Sequence, residues 1–266
     1  MVIEKDDRLI LLTNDDGLYA AGLRTLLEVM EEFGKVVLVS TMESQSGMSQ
    51  ALTVKTPIRV KLLEENDRHR IYAINGTPTD SVKLAVNQLL EQKPDFVVSG
   101  INHGPNMGED VHYSGTVAAA LEGCILGITS MAVSIVSWTP IHFGGAAAAA
   151  QALAGRLIAL RGGRAALWNV NVPAVAAGEI RGVRVTKLGS RVYNDIIVRK
   201  KDPRGKDYFW IGGGEPGWST EENSDFAAVS AGFVSVTPLR IDLTDYEEMR
   251  ALEALARTWN QDRIIE

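Results

Sequence analysis

Two adjacent carboxylates are the first residues of this sequence whose types and spacing point to chemistry. Asp15 and Asp16 stand within Asn14–Gly17, directly after the apolar run Leu9–Thr13. Two anions so close together raise the pKa of one of them or recruit a cation. Carboxylate oxygens suit Mg²⁺, Mn²⁺ or Ca²⁺ rather than zinc. The alternative is that both aspartates cap the following helix and interact with its dipole.

Neutral oxygen donors occur in two later loops. Ser46 and Gly47 follow the second apolar run, and Asn102 and Asn106 follow the run Phe96–Ser99. Each has an ordinary explanation as a loop residue that satisfies nearby backbone groups. Their position matters, because ligands of an open parallel sheet bind beyond the carboxyl ends of its strands. We therefore expect Ser46 and Asn102 to complete a metal site with the two aspartates.

A third group, Ser114, Gly115 and Thr116, precedes an alanine-rich helical segment. Free N–H groups at a helix N-terminus, with hydroxyls beside them, bind phosphate. A plain Ser or Thr N-cap is the alternative. Ser114 as a nucleophile, with His103 or His112 as its base, is disfavoured because no third group orients the base and no Gly-x-Ser-x-Gly elbow is present.

Alternating strands and helices must hold these loops in place. Short apolar runs predict strands, and apolar residues at helical spacing predict the helices between them. Strands are expected at 9–13, 36–40, 51–54, 58–62, 70–74, 96–99, 131–135 and 167–172, and helices around 23–30, 82–89, 117–124 and 146–160. Thr79 or Asp80 is expected to cap the second helix. This alternation implies right-handed crossovers, so the fold class is α/β with a mostly parallel, helix-covered sheet.

The pattern changes after residue 177. Runs at 183–188, 193–199, 208–211 and 233–238 look like strands separated by turns, and they predict an antiparallel, β-rich extension over 178–245. The charged run Arg199–Asp202 and the glycines Gly212–Gly214 are candidates for a lid, with a solvated hairpin tip as the alternative. Residues 246–266 are expected to form a terminal helix that packs on the core of residues 1–177.

The composition narrows the classes of partner. Of the 266 residues, 45% are hydrophobic and 23% are charged, which is typical of a globular protein and excludes wholesale disorder. A net charge of -6 disfavours duplex nucleic acid, which needs a basic face. One cysteine, Cys124, excludes an intrachain disulfide. With no membrane-length apolar stretch and no signal peptide in the sequence, we expect a cytoplasmic location without membrane contact.

Seven short segments, in order along nearly the whole chain, carry a further signal. They are Leu11–Gly17, Gln45–Ser49, Gly76–Asp80, Val98–Asn106, Tyr113–Val117, Asp202–Gly205 and Asp225–Val229. Together they resemble the survival protein E (SurE) family of metal-dependent nucleotidases, and such ordered agreement is more specific than any single motif. The sequence departs from the family at Ser40–Thr41, where Ala-Pro is usual, and at Ser81, where Cys is frequent; neither is a candidate ligand.

The resemblance implies a Rossmann-like three-layer domain with a C-terminal β-rich extension that forms homodimers or homotetramers. It also implies a 5′-nucleotidase, which hydrolyses nucleoside 5′- or 3′-monophosphates with one Mg²⁺ or Mn²⁺ per subunit. Carried over by position, the metal ligands are Asp15, Asp16, Ser46 and Asn102. The substrate and phosphate contacts are Ser46, Gly47, Asn106, Ser114, Gly115 and Thr116, and the catalytic residues are Asp15, Asp16, Asn102 and Ser114.

Other readings of the same residues stay open. In a phosphatase with an aspartyl-phosphate intermediate, Asp15 is the nucleophile, although a second Asp usually stands where this chain has Gly17. A non-catalytic nucleotide-binding module is another reading. An NAD-dependent oxidoreductase is set aside, because Thr13–Gly17 lacks the Gly-x-Gly-x-x-Gly turn and two carboxylates repel a pyrophosphate.

Overall fold

The strands form one large sheet and two short pairs. A computed structural model describes residues 8–137, 139, 142–159, 164–192, 197–211, 217–218 and 221–262. Its strands are β1 (Leu9–Thr13), β2 (Lys35–Thr41), β3 (Val60–Glu65), β4 (His69–Ile74), β5 (Phe96–His103), β6 (Ser130–Val136), β7 (Leu167–Pro173), β8 (Val183–Val185), β9 (Arg191–Val192), β10 (Ile197–Lys201), β11 (Asp207–Ile211), β12 (Gly217–Trp218) and β13 (Val234–Leu239).

Helices connect most of the strands of the large sheet. They are α1 (Ala21–Met30), α2 (Pro78–Leu84), α3 (Gly115–Ile125), α4 (Gly144–Ala159), α5 (Asp225–Ser230) and α6 (Tyr246–Asp262). One π-helical turn, Ala85–Leu89, continues α2, and short 3-10 helices cover Gly108–His112 and Ala177–Glu179.

The order of the nine strands determines where loops converge. The order is β3-β4-β2-β1-β5-β6-β7-β13-β8, and the strands from β4 to β7 are all parallel. The chain moves from β1 outwards to β2 and later returns to the other side of β1 with β5. This reversal creates a topological switch point between β1 and β5, which is where ligands bind in open α/β sheets. The predicted α/β class with a mostly parallel sheet is confirmed.

Helices cover both faces of the sheet, as the continuous apolar runs of β1, β2 and β5 require. Ile10 and Leu12 point towards the face packed by α1 and α4. Leu11 points to the opposite face, where α2 and α3 pack. All three leucine and isoleucine side chains are fully buried, so β1 is fixed from both sides and its C-terminal end is held rigidly.

Several local expectations need correction. The N-cap of α2 is Thr77, not Thr79 or Asp80: Thr77 accepts a hydrogen bond from the Asp80 N–H, and the Asp80 side chain accepts one from the Thr77 N–H. Such a reciprocal capping box satisfies two helix-terminal donors at once. The strand expected at 58–62 runs from Val60 to Glu65. Residues 51–54, where a strand is also expected, form none.

The strands after residue 177 divide between two places. Strands β8 and β13 belong to the large sheet, where β13 pairs antiparallel with β7 and parallel with β8. Among the described residues, the hairpin β10–β11 and the pair β9–β12 lie apart from it and fit an antiparallel extension. Apolar runs alone do not show that β8 and β13 pair with the large sheet. Of the candidate lid, Gly212–Gly214 lie outside the described residues, and Arg199 pairs with Asp207 within the hairpin.

The terminal helix α6 is largely exposed over the residues whose burial is described. From Tyr246 to Arg257 its side chains are exposed, except for the half-buried Ala256. The exposed set includes large apolar residues, among them Met249, Leu252 and Leu255. The expected packing of residues 246–266 on the core stays a prediction. In the part of the chain that the structure describes, no helix is both long and apolar enough to span a membrane.

Candidate active site

The turn after β1 presents the two aspartates. Asn14 stabilises this turn, because its Nδ2 donates to the Gly17 carbonyl at 2.9 Å and its Oδ1 accepts from Ser40 Oγ at 2.6 Å. Gly17 has a φ of +95°, a conformation that favours glycine. Asn14 is fully buried, so its role is to hold the turn rather than to meet a ligand.

Asp15 lies directly against the start of α3. Its side chain is only 3% exposed, and Oδ1 accepts a hydrogen bond from the Thr116 hydroxyl. A Cβ atom on Gly115 would lie 2.8 Å from Asp15 Cβ and 2.9 Å from Oδ2. Gly115 is therefore the residue that lets the helix N-terminus approach the carboxylate.

Asp16 is half-buried and faces the C-terminal end of β5. Its Oδ2 accepts the His103 N–H at 2.9 Å. The pairing of β5 with β6 is irregular between Ser99 and Asn102. Gly100 has a φ of +137°, and a Cβ there would lie 2.3 Å from the Val133 carbonyl oxygen. Glycine is required at this position, and the irregular strand end brings the His103 backbone to Asp16.

Asn102 stands next to this contact. It is 9% exposed, and its Nδ2 donates to the Gly104 carbonyl at 2.8 Å. Because the nitrogen is used within the loop, the amide oxygen is the atom left for a ligand. Asn102 directly precedes His103, whose N–H binds Asp16, so it lies at the same end of β5; its role as a metal ligand stays a prediction.

The surroundings of Asp15 and Asp16 disfavour the ionised form of both carboxyl groups. Burial raises the pKa of Asp15 to about 6, against the hydrogen bond from Thr116, and the neighbouring Asp16 adds to the rise. Burial also raises the pKa of Asp16, against the N–H of His103. Across the described ranges, no Lys or Arg side chain forms an ion pair with either group.

This donor set fits a hard divalent cation. Two carboxylates lie at the switch point, with Asn102 at the end of the neighbouring strand β5, and burial makes the charge of the carboxylates costly without a counter-ion. No cluster of three or more His, Cys, Asp or Glu side chains suited to a metal occurs within the described part of the chain. A site with few protein ligands suits Mg²⁺ or Mn²⁺, which keep several waters, better than a closed zinc site.

The loop that carries Ser46 and Gly47 is attached to the site by its backbone. The Gln45 N–H donates to the Asp15 carbonyl at 2.7 Å, and Ser49 Oγ donates to the His112 carbonyl at 2.6 Å. Ser46 is exposed, and its hydroxyl pairs with Ser44 Oγ at 2.9 Å rather than with a carboxylate. Gly47 faces open space. Both residues lie in a loop at the carboxyl edge of the sheet, but in the described structure neither contacts the carboxylate of Asp15 or Asp16.

The start of α3 offers donors to an anion. Ser114 is its N-cap, 6% exposed, and its Oγ accepts the Val117 N–H at 3.0 Å. The Thr116 hydroxyl is used by Asp15, and the Thr116 backbone N–H also interacts with that carboxylate, so a phosphate shares this N–H with Asp15. Neither His103 nor His112 forms a hydrogen bond to Ser114 among the described contacts; His103 Nε2 contacts the Thr139 carbonyl at 2.9 Å instead. Ser114 therefore lacks the base that a nucleophile needs.

Asn106 is held by residues that the sequence reasoning missed. Its amide contacts Ser134 Oγ at 2.8 Å, and its backbone contacts the amides of Asn169 and Asn171. The structure shows no direct contact between Asn106 and either aspartate. A signal existed in the sequence: two asparagines at alternate positions of the apolar run Leu167–Pro173 put two amides on one buried strand face.

Comparison with known proteins identifies the family of this chain. The family model described as survival protein SurE matches residues 10–195. A Gemmatimonas aurantiaca protein named 5′-nucleotidase SurE is 50% identical over 239 residues, 88% of this chain and 93% of the relative. A Vibrio vulnificus protein of the same name is 42% identical over 255 residues, 96% of each chain.

A solved structure agrees as well. The crystal structure of the SurE protein from Aquifex aeolicus superimposes with a TM-score of 0.82 at 39% sequence identity, covering 93% of this chain and 99% of that one. This chain belongs to the survival protein SurE family.

Proposed function

We propose that this chain is a divalent-metal-dependent phosphomonoesterase that converts nucleoside 5′-monophosphates, and also 3′-monophosphates, to nucleoside and phosphate. The observation that carries the proposal is the uncompensated pair Asp15 and Asp16 at the switch point, in contact with the N-terminus of α3. A cation site beside an anion cradle is the arrangement that phosphate-ester hydrolysis needs. The name 5′-nucleotidase carried by the relatives supports the same substrate class.

One Mg²⁺ or Mn²⁺ per subunit completes the proposed site. Asp15, Asp16 and Asn102 are its proposed ligands, and Ser46 joins them by exchanging its hydrogen bond with Ser44 for the cation. When bound, the cation neutralises charge on the phosphoryl oxygens and activates a water molecule for attack.

The chain's own residues orient the carboxylates. The Thr116 hydroxyl fixes one oxygen of Asp15, and the His103 N–H fixes one oxygen of Asp16. Because one oxygen of each carboxylate is held by a hydrogen bond, the carboxylate does not rotate freely, and the direction of its second oxygen is fixed as well. Asp16 is the more accessible of the two, and in this proposal it orients the attacking water.

Donors at the start of α3 stabilise the phosphoryl group. The N–H groups of Gly115 and Thr116 have no partner earlier in the helix, and the Ser114 hydroxyl keeps its hydrogen for donation because its oxygen accepts from Val117. Together with the amide of Asn106, they bind the equatorial oxygens, where charge accumulates in the transition state. In this scheme Ser114 is a phosphate donor, not a nucleophile.

We further propose that the chain forms a homodimer or homotetramer. The support is exposed apolar surface outside the core: Met249, Leu252 and Leu255 on α6, and Phe209 and Trp210 on the hairpin β10–β11. Large exposed apolar patches mark interaction surfaces. The cytoplasmic location, and the division of the chain at residues 178 and 246, stay predictions.

Phosphate release from a panel of nucleoside 5′- and 3′-monophosphates tests the proposed function. Each substrate is assayed with Mg²⁺, Mn²⁺ or EDTA, for the wild type and for Asp16→Asn. The control is Asp67→Asn, which removes an exposed carboxylate in the turn between β3 and β4, away from the carboxyl edge of the sheet. We expect metal-dependent release that falls by about 100- to 1,000-fold in Asp16→Asn and is unchanged in the control.

Other outcomes separate the alternatives. Wild-type turnover by Asp16→Asn at saturating metal would contradict the proposed mechanism. Nucleotide binding without release under any metal would indicate a non-catalytic nucleotide-binding module. A trapped phospho-enzyme on Asp15 would indicate an aspartyl-phosphate intermediate.

A further inference from the structure

Two asparagine side chains of β7 form hydrogen bonds with the backbone of Asn106. Its N–H donates to Asn171 Oδ1 at 2.9 Å, and Asn171 Nδ2 returns a bond to the Asn106 carbonyl at 2.9 Å. Asn169 Nδ2 donates to the same carbonyl at 2.7 Å. Both backbone groups of a buried loop residue are thus satisfied, which is a general requirement in protein interiors. Asn171 serves Asn106 as a neighbouring strand would, through one amide.

The side chain of Asn106 is oriented by a second residue. Ser134 Oγ lies 2.8 Å from its Nδ2, and Asn106 is only 7% exposed. A hydroxyl both donates and accepts, so Ser134 can hold the amide with either its nitrogen or its oxygen directed away. The remaining amide atom is thereby aimed, and an N–H can be turned to a phosphate oxygen.

Burying the polar cluster of Ser134, Asn169 and Asn171 costs free energy. Ser134, Asn169 and Asn171 are all 0% exposed, on strands whose other side chains are mostly apolar. Asn169 Oδ1 is buried without a hydrogen-bond partner in the described structure, and a buried unsatisfied polar group costs about 1–3 kcal/mol. Apolar side chains would fill this space without that cost. What the polar cluster provides is a fixed position for Asn106.

We infer that Ser134, Asn169 and Asn171 are positioning residues that act through Asn106 on the phosphoryl group. Their side-chain hydrogen bonds go to Asn106. Ser134 is also the register partner of the proposed metal ligand Asn102 across β5 and β6, so its backbone borders the cation site while its hydroxyl holds the Asn106 amide. This inference rests on the proposed function, in which Asn106 contacts the phosphate.

A double-mutant cycle on Ser134 and Asn106 tests the inference. The variants are Ser134→Ala, Asn106→Ala and the double variant, assayed for phosphate release and for Mn²⁺ affinity. The matched control is Ser130→Ala on the same strand: Ser130 is equally buried, but its Oγ bonds only the Ile128 carbonyl, at 2.9 Å. Thermal unfolding of every variant reports loss of packing separately.

We expect Ser134→Ala to lower kcat/KM by about 10- to 100-fold, with Mn²⁺ affinity within about twofold of wild type. In the Asn106→Ala background the same change has no further effect, because the two residues act as a unit. Ser130→Ala keeps wild-type kcat/KM. Asn171→Asp, which keeps the acceptor for the Asn106 N–H and loses the donor, shows a loss of the same kind if it folds.

The outcomes are distinguishable. Additive effects of Ser134→Ala and Asn106→Ala, or an equal loss in Ser130→Ala, would overturn the inference while the proposed function stands. A wild-type chain inactive on every nucleotide and metal would overturn the proposed function, and the inference with it.

Discussion

Asp15 carries a charge that its surroundings oppose. Its pKa rises from the ordinary value of 3.8 to about 6 through burial, and at about 1.4 kcal/mol for each pKa unit the ionised group costs about 3 kcal/mol. A carboxyl whose pKa is higher in the folded state favours folding only when protonated. The cost is therefore absent below about pH 3.8 and complete above about pH 6.

Asp15→Asn is expected to stabilise the metal-free protein. The amide keeps the acceptor for Thr116 and removes the buried charge, so the free energy of unfolding in EDTA rises by up to about 3 kcal/mol at pH 8. The gain shrinks as the pH falls and vanishes near pH 4. Urea unfolding at both pH values measures it, with the exposed Asp67→Asn as control. A variant less stable than wild type at pH 8 would show that the charge is already compensated.

At the residue scale, prediction from sequence is strongest where chemistry and chain position coincide. Asp15 and Asp16 lie in the turn after β1, and Asn102 lies near the end of the neighbouring parallel strand β5, so all three lie at the same edge of the sheet. Their roles as metal ligands stay predictions. Ser46 is the harder case, because its hydroxyl orientation depends on Ser44 rather than on any periodicity. The partners of Asn106 come from β6 and β7. The alternate asparagines of β7 are visible in the sequence, but no local pattern shows which residue they contact.

The elements meet most closely where α3 starts against the β1 turn. Gly115→Ala would put a Cβ 2.8 Å from Asp15 Cβ, so helix and carboxylate must separate. We expect phosphate release to fall by about 100-fold and Mn²⁺ affinity to fall as well. Gly144→Ala, at the start of α4 with nothing within 4 Å of the new Cβ, is the matched control and keeps full activity. Equal activity in both variants would contradict the close approach.

At the element scale, the strands and helices around the site follow from apolar periodicity alone. What periodicity does not show is pairing. Strand β13 looks like part of an antiparallel extension, yet it joins the large sheet beside β7. Periodicity also does not show that Thr77 is the N-cap of α2, because the capping box depends on the side chain of Asp80 folding back onto the Thr77 N–H.

The whole molecule leaves the apolar side of α6 without cover from its own core. If α6 forms the subunit contact, Leu252→Glu puts a charge into that contact and lowers the molar mass measured by light scattering to that of a smaller assembly. Ala254→Glu adds the same charge to the side of the helix roughly opposite Leu252 and leaves the mass unchanged. An unchanged assembly in Leu252→Glu would exclude this side of α6 as the contact.

Manganese binding and turnover, measured on the same samples, test most directly whether Asp15 and Asp16 hold the catalytic cation. Wild type and Asp15→Asn are titrated with Mn²⁺ while free Mn²⁺ is followed by electron paramagnetic resonance and phosphate release from a nucleoside 5′-monophosphate is followed in parallel. We expect one Mn²⁺ per wild-type chain, with binding and activity rising together, and the loss of both in Asp15→Asn. Undiminished tight binding or turnover in Asp15→Asn would mean that the cation lies elsewhere.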